Sequence, residues 1–174
     1  ISVIGLNHKS ANIDVREKFS FTSDTSALLI RRIKKVSNIN EVVVVSTCNR
    51  TEIYIDSLSG SKDLQEWLNT ENDFEVLSKH MYVYEEEDAI EHLFKVVSGL
   101  DSMVVGESEV LGQVKSSYKV ALENKTIDNK LKRLFEYSFS VAKNVRSNTD
   151  IGGNAISFMY TSILLIKKVF SDIY

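Results

Sequence analysis

Proline is absent from this chain, and cysteine occurs once, at Cys48, among 174 residues. A single cysteine excludes a disulfide-stapled scaffold. Seven glycines with no proline exclude a collagen-like or low-complexity chain. Long apolar runs are missing too. The best candidate, around Ser162 to Ile166, stops at Lys167 and Lys168, well short of the roughly 20 residues that a membrane-spanning helix needs. No GxGxxG follows a strand, and no Gly-Lys-Ser/Thr closes a phosphate loop, so no nucleotide-binding fingerprint is visible. The three histidines, His8, His80 and His92, lack the spacing of metal ligands, and no metal site is expected. No secretory signal is read at the N-terminus, which has the pattern of a strand, and a reducing, cytoplasmic setting is expected.

The residues that are present suit a folded domain. Apolar residues make up 43% of the chain and charged residues 26%, with a net charge of −3. This is enough apolar material for a core and excludes disorder as the main state. The charge is unevenly spread. Residues 63–91 carry ten acids against Lys79, a local −9, whereas residues 113–147 carry eight bases against Glu123, Asp128 and Glu136, a local +5. Solvated helix faces account for such blocks, and so does a basic segment that meets phosphates.

Hydrophobic periodicity divides the chain into two parts. Ile1 to Leu6 reads as a strand, Asp24 to Val36 as an amphipathic helix with Thr22 or Ser23 as its cap, Val42 to Val45 as a buried strand, and Thr51 to Asp56 as a strand with Ile53 and Ile55 on one face. Asn12 to Thr25 reads as irregular. A short helix around Trp67 and a strand over His80 to Tyr84 complete a β-α-β-β-α-β order. That order predicts a ferredoxin-like sheet with helices on one face. From residue 86 the period changes to that of helices. The stripes are Ala89, Ile90, Leu93, Phe94 and Val97; then Val110, Leu111, Val114, Tyr118, Ala121 and Leu122; then Leu131, Leu134, Phe135, Ser138, Ala142 and Val145. A fourth begins at Ile156, beyond a break at Gly152-Gly153. The fold class is therefore α+β, a ferredoxin-like sheet followed by a helical bundle subdomain. The expected division is 1–85, 86–148 and 149–174. The apolar stripe running to Tyr174 suggests a chain cut from a longer one.

Cys48 lies between two strand candidates, in Ser46-Thr47-Cys48-Asn49-Arg50. A lone cysteine is often a small buried hydrophobe. A polar turn at a strand end is instead accessible, and Arg50 two residues away favours a thiolate, so a nucleophile is the competing reading. Sequence alone does not say which histidine faces it. Gly99, Gly106 and Gly112 fall within a polar-rich stretch, which signals close backbone approach or a special turn.

Four ordered motifs then resemble one family. They are Gly5-Leu-Asn-His-Lys-Ser-Ala11, Ser46-Thr-Cys-Asn-Arg-Thr-Glu-Ile-Tyr54, His92-Leu-Phe94, and Gly99-Leu-Asp-Ser-Met-Val-Val-Gly-Glu107 with Leu111-Gly-Gln-Val-Lys115. Lys143-Asn-Val-Arg146 and Thr149-Asp-Ile-Gly-Gly153 extend the likeness. Together they resemble glutamyl-tRNA reductase, the NADPH-dependent enzyme that makes glutamate-1-semialdehyde for tetrapyrrole (porphyrin and haem) synthesis. The resemblance implies that Cys48 is the nucleophile forming a glutamyl thioester. It places Thr47, Asn49, Arg50, Ser102, Glu107, Ser108, Glu109 and Gln113 around the substrate, and gives His92 a catalytic role. Ser108-Glu109 departs from the family's commoner Glu-Pro-Gln turn. The resemblance also implies glutamyl-tRNA(Glu) as partner, NADPH held by a further domain absent here, a homodimer through an absent C-terminal helix, and contact with the next pathway enzyme, an aminomutase. Two readings of other classes compete: a non-enzymatic ferredoxin-like binding or regulatory module with a structural Cys48, and a stand-alone cysteine acyltransferase or thioesterase.

Overall fold

The computed structural model describes residues 1–71 and 77–151. The stripe beginning at Ile156 and the break at Gly152-Gly153 lie outside them. In chain order the elements are β1 (Ser2–Asn7), α1 (Ile13–Lys18), α2 (Ser23–Ile33), β2 (Ile39–Ser46), β3 (Arg50–Ser57), α3 (Lys62–Leu68), β4 (Tyr82–Glu85), α4 (Glu86–Val97), α5 (Glu109–Glu123) and α6 (Asn129–Asn148). The strands form one antiparallel sheet in the order β2-β3-β1-β4, the order of a split β-α-β, ferredoxin-like unit. Helix α1 falls in the stretch that reads as irregular. Its start is set by Asn12, whose side chain accepts the Val15 N–H, a local bond that leaves little trace in hydrophobic periodicity. Thr22 caps α2 in the same way through the Thr25 N–H.

Both faces of the sheet are covered. Ile4, Leu6, Val42, Val44, Ile53 and Ile55 point to α2 and α3, where Leu29, Ile30, Ile33, Leu64 and Leu68 close the first core. Val3, Val43, Val45 and Tyr54 point the other way and pack with Leu93, Val114 and Phe135 of α4, α5 and α6. The sequence pattern places helices on one face only; the structure lays the bundle on the second. This is why Val42 to Val45 is apolar without alternation: successive side chains enter different cores.

The bundle is fastened at the sheet edge by a buried acid. Glu41 on β2 is 4% exposed. Its carboxylate accepts the N–H groups of Asp128 (2.8 Å), Lys130 (2.8 Å) and Leu131 (2.9 Å). These are donors of the first turn of α6, which its own ladder leaves unpaired. Lys130 Nζ also pairs with Asp56 at 2.8 Å.

A buried charge cluster beside an accessible thiol

The β2–β3 hairpin turn is built by its own side chains. Thr47 Oγ1 accepts the N–H groups of Asn49 and Arg50, each at 3.2 Å, and the Thr47 N–H donates to the Arg50 carbonyl at 2.8 Å. The Asn49 carbonyl accepts the His8 N–H at 2.9 Å, tying the turn to the end of β1. With both neighbours held, Cys48 stands exposed at the tip. It lines a cleft of about 410 Å³ with Ile13, Arg16, Met103, Val104 and Glu107; Asn49 and Glu109 complete the lining.

Behind the turn the chain buries charge. Arg50, Glu52 and Tyr54 alternate onto the bundle-facing side of β3, beside Asn7, Gly5 and Val3 of β1. Across β1, Gly5 faces Tyr82 of β4. Glu52 is 0% exposed and Arg50 2%. Arg50 Nη1 donates to Glu52 Oε1 at 2.7 Å. Tyr82 donates to the same oxygen at 2.5 Å, and His92 Nε2 lies 2.8 Å from it. The Tyr54 hydroxyl donates to Glu52 Oε2 at 2.6 Å. Gly5 makes this cluster possible. A Cβ there would stand 2.7 Å from Glu52 Cγ and from the Thr51 carbonyl oxygen, in the space between Glu52 and Tyr82.

Arg50 Nη2 turns to Asp101, donating to its carbonyl and, at 3.0 Å, to Oδ2. Lys9 Nζ reaches Asp101 Oδ1 at 2.5 Å, and Asn7 Nδ2 reaches Oδ2 at 3.3 Å. The loop carrying Asp101 is closed by the Gly106 N–H on the Gly99 carbonyl, 2.9 Å. Arg146 of α6 pins it through the Gly106 and Glu107 carbonyls, at 3.3 and 2.5 Å.

The electrostatics follow from burial and pairing. Burial works against the Glu52 carboxylate, but Arg50 and the His92 and Tyr54 hydrogen bonds outweigh it and hold the group far below the usual carboxylate range. Burial likewise opposes the Arg50 charge, and Glu52 more than compensates, raising it. Tyr54 and Tyr82 are pushed well up, by burial first and then by Glu52. Asp101 is lowered: Lys9 and Arg50 overcome its burial. Glu107 is raised by burial and by neighbouring Glu109. His8 is lowered by burial and by the Arg50 charge, and its Nδ1 is buried with no hydrogen-bond partner among the described residues.

The residues singled out from the sequence are thus divided between neighbouring features. Cys48, Asn49, Glu107 and Glu109 share the cleft. Thr47 holds the turn. His92 lines a separate depression of about 280 Å³ with Lys9, Tyr82, Tyr84 and Asp101, where its ring packs against Tyr82 and Tyr84 at 5.4 and 5.0 Å. Ser102 is 9% exposed within the pinned loop. Ser108 is exposed just before α5. Gln113, on α5, lines a third depression together with Glu109. Glu52, Tyr54, Tyr82, Asp101 and Lys9 were given no site role from the sequence. A signal existed for the first two, since an acid and a tyrosine alternate with Ile53 and Ile55 on one strand. It becomes readable only once the second face of the sheet is known to be covered.

Fold and site define a class: a split β-α-β sheet with a helical cover, presenting an accessible thiol at the β2–β3 turn and a buried Arg–Glu–His cluster that begins on β3. The family model for the glutamyl-tRNAGlu reductase N-terminal domain matches residues 4–149. Glutamyl-tRNA reductase of Xylella fastidiosa (strain M12) is 43% identical over 171 residues, 98% of this chain and 39% of that protein. That of Chromohalobacter salexigens is 41% identical over 172 residues, 97% of this chain and 41% of that protein. The solved glutamyl-tRNA reductase of Methanopyrus kandleri superposes with a TM-score of 0.76 at 30% identity, covering 96% of this chain and 39% of that one. The chain belongs to the glutamyl-tRNA reductase N-terminal domain family, and it spans about two fifths of the length of these relatives.

Proposed function

We propose that this chain is the acyl-accepting part of an NADPH-dependent glutamyl-tRNA reductase, feeding tetrapyrrole synthesis in the cytoplasm. The observation that carries the reading is the placement of Cys48: an exposed thiol, at the tip of a turn held by Thr47 and His8, lining a cleft. A thiolate is the reactive form of cysteine, and an aminoacyl ester is an activated acyl donor. Attack of Sγ on the glutamyl carbonyl forms the C–S bond and breaks the ester C–O bond. The thiol proton ends on the released ribose hydroxyl. The product is a glutamyl thioester, which accepts hydride more readily than a carboxylate.

Hydride delivery needs a nicotinamide, and the described residues do not fit one. The sheet is antiparallel, and no strand leads through GxGxxG into a helix. The chemistry of these residues is acyl transfer and substrate selection. Arg50 reads the glutamate side-chain carboxylate, as its planar fork suits. Its Nη2 already faces a carboxylate, that of Asp101, on a loop at the edge of the cluster, so this side of the guanidinium suits such a group. Glu52 holds Arg50 from behind and fixes His92, the second catalytic candidate.

Incubation with charged glutamyl-tRNA tests this reading. A glutamyl adduct on Cys48 is expected by mass spectrometry, and Cys48→Ser should lose it while keeping its circular dichroism spectrum. Arg50→Lys retains charge but loses the fork, and should narrow the preference for glutamyl- over glutaminyl-tRNA. An adduct of equal yield on Cys48→Ser would defeat the assignment.

A further inference from the structure

A groove of about 420 Å³ lies between α2 and α5 at the end of β2, within the size range of small-ligand sites, roughly 300–1,000 Å³. Phe21, Ser26, Ser46, Gly112, Gln113 and Ser116 line it. Glu109 lines both this groove and the cleft of Cys48, and Ser46 is two residues from the thiol. The depression beside His92 has no described lining residue in common with the cysteine cleft.

The lining has a definite chemical character. Hydroxyls and an amide dominate, an aromatic ring stands at one side, and Glu109 is the charged residue; no lysine or arginine stands among the described lining residues. This suits a neutral ligand with hydroxyls and a flat apolar face. It does not suit a phosphate, which calls for cations or clustered N–H donors.

Gly112 adds an independent observation. It sits inside α5, where glycine is destabilising by about 1 kcal/mol relative to alanine. Its backbone does not have the positive φ found at Gly60, Gly99 and Gly106. A Cβ built on it meets nothing within 4 Å, so the packing of the chain does not require a glycine there. What a glycine does at this point is leave the helix backbone bare where it borders the groove, allowing a ligand to approach closely.

We infer that this groove receives the terminal nucleoside of the aminoacyl-tRNA, with the ribose over Gly112 and the base toward Phe21. The inference rests on the reading of Cys48 as acyl acceptor. An ester carbonyl in front of Cys48 has the ribose as its leaving group, one bond away. The nucleoside must therefore enter a depression continuous with the cysteine cleft, and its neutral hydroxyls match the serines and Glu109. The phosphates that follow lie outside the groove.

The test compares two esters on the whole protein: 3′-O-glutamyl-adenosine and glutamate α-ethyl ester, which lacks the nucleoside. Single-turnover acylation of Cys48 is followed by mass spectrometry. Measured against the rates of the two esters with a free thiol, the unaltered protein should show an added preference for the nucleoside ester of about tenfold or more, the equivalent of one well-made set of contacts. Gly112→Leu fills the groove and should abolish that preference, with Gly112→Ala in between. Melting temperatures of both variants should not fall, because both residues are better helix formers than glycine. An undiminished preference in Gly112→Leu would overturn the proposal, as would a lack of preference in the unaltered protein. If neither ester acylates Cys48, the acyl-acceptor reading itself falls, and this inference with it; that result is distinguishable because it also appears with glutamyl-tRNA.

Discussion

Glu52 carries its negative charge with no solvent exposure, held by a guanidinium, an imidazole and two phenols. A buried ion is costly unless its partners replace water, so each donor here is needed to keep the others in place. Replacing Glu52 by glutamine leaves Arg50 charged and half-partnered. The expected destabilisation is about 3–5 kcal/mol at neutral pH, the usual cost of breaking a buried pair, read from urea unfolding midpoints. The pH dependence follows from the direction of the shift. Glu52 titrates below its ordinary value, so its stabilisation is complete above the unfolded-state pKa, about 4.3, and is lost as pH falls further. Glu52→Gln should therefore show a shallower decline in stability below that pH than the parent protein. Parallel acid limbs in the two proteins would mean that Glu52 is not the group responsible.

At the scale of single elements, glycine has opposite meanings at two positions. Gly5 sits mid-strand between Glu52 and Tyr82, where an added methyl would collide with Glu52 Cγ and the Thr51 carbonyl at 2.7 Å. Gly5→Ala forces the cluster apart, and overpacking of this kind costs about 1–3 kcal/mol. Gly112 lies in an open stretch of helix, and Gly112→Ala should stabilise the protein by about 1 kcal/mol. Thermal denaturation of the pair reads both signs at once; stabilisation by Gly5→Ala would show that the packing between β1 and β3 is looser than described. The same contrast separates a glycine that the packing requires from one that it does not.

Across the whole molecule the charge asymmetry takes on a geometry. Of the bases in residues 113–147, Lys130 pairs with Asp56, Lys119 lies 3.6 Å from Glu123, Lys115 lies over Phe139, and Arg146 holds loop carbonyls. Lys132, Arg133 and Lys143 of α6 are exposed and are the better candidates for a phosphate backbone. Under the proposed function, changing these three to alanine should weaken tRNA binding by the whole protein. It should also flatten the salt dependence, by about 0.7–0.9 log units per log unit of salt for every phosphate left without its cation. Filter binding at several salt concentrations measures this, and an unchanged slope would leave the segment a solvated face.

The α+β class, the chain order of the strands and the position of Cys48 between two of them were legible from residue order, because hydrophobic period and turn residues are local properties. The four ordered motifs carried the family for the same reason. The covering of the sheet's second face was not legible, since it depends on helices more than thirty residues away in sequence folding back onto Val3, Val43 and Tyr54. The buried cluster depended on it. Glu52, Tyr82, His92 and Asp101 lie on different elements, and strand register together with the placement of α4 brings them to Arg50. The direction of the Arg50 side chain is likewise decided by tertiary structure: two residues of separation place it near Cys48 in sequence, while strand alternation turns its guanidinium inward to Glu52.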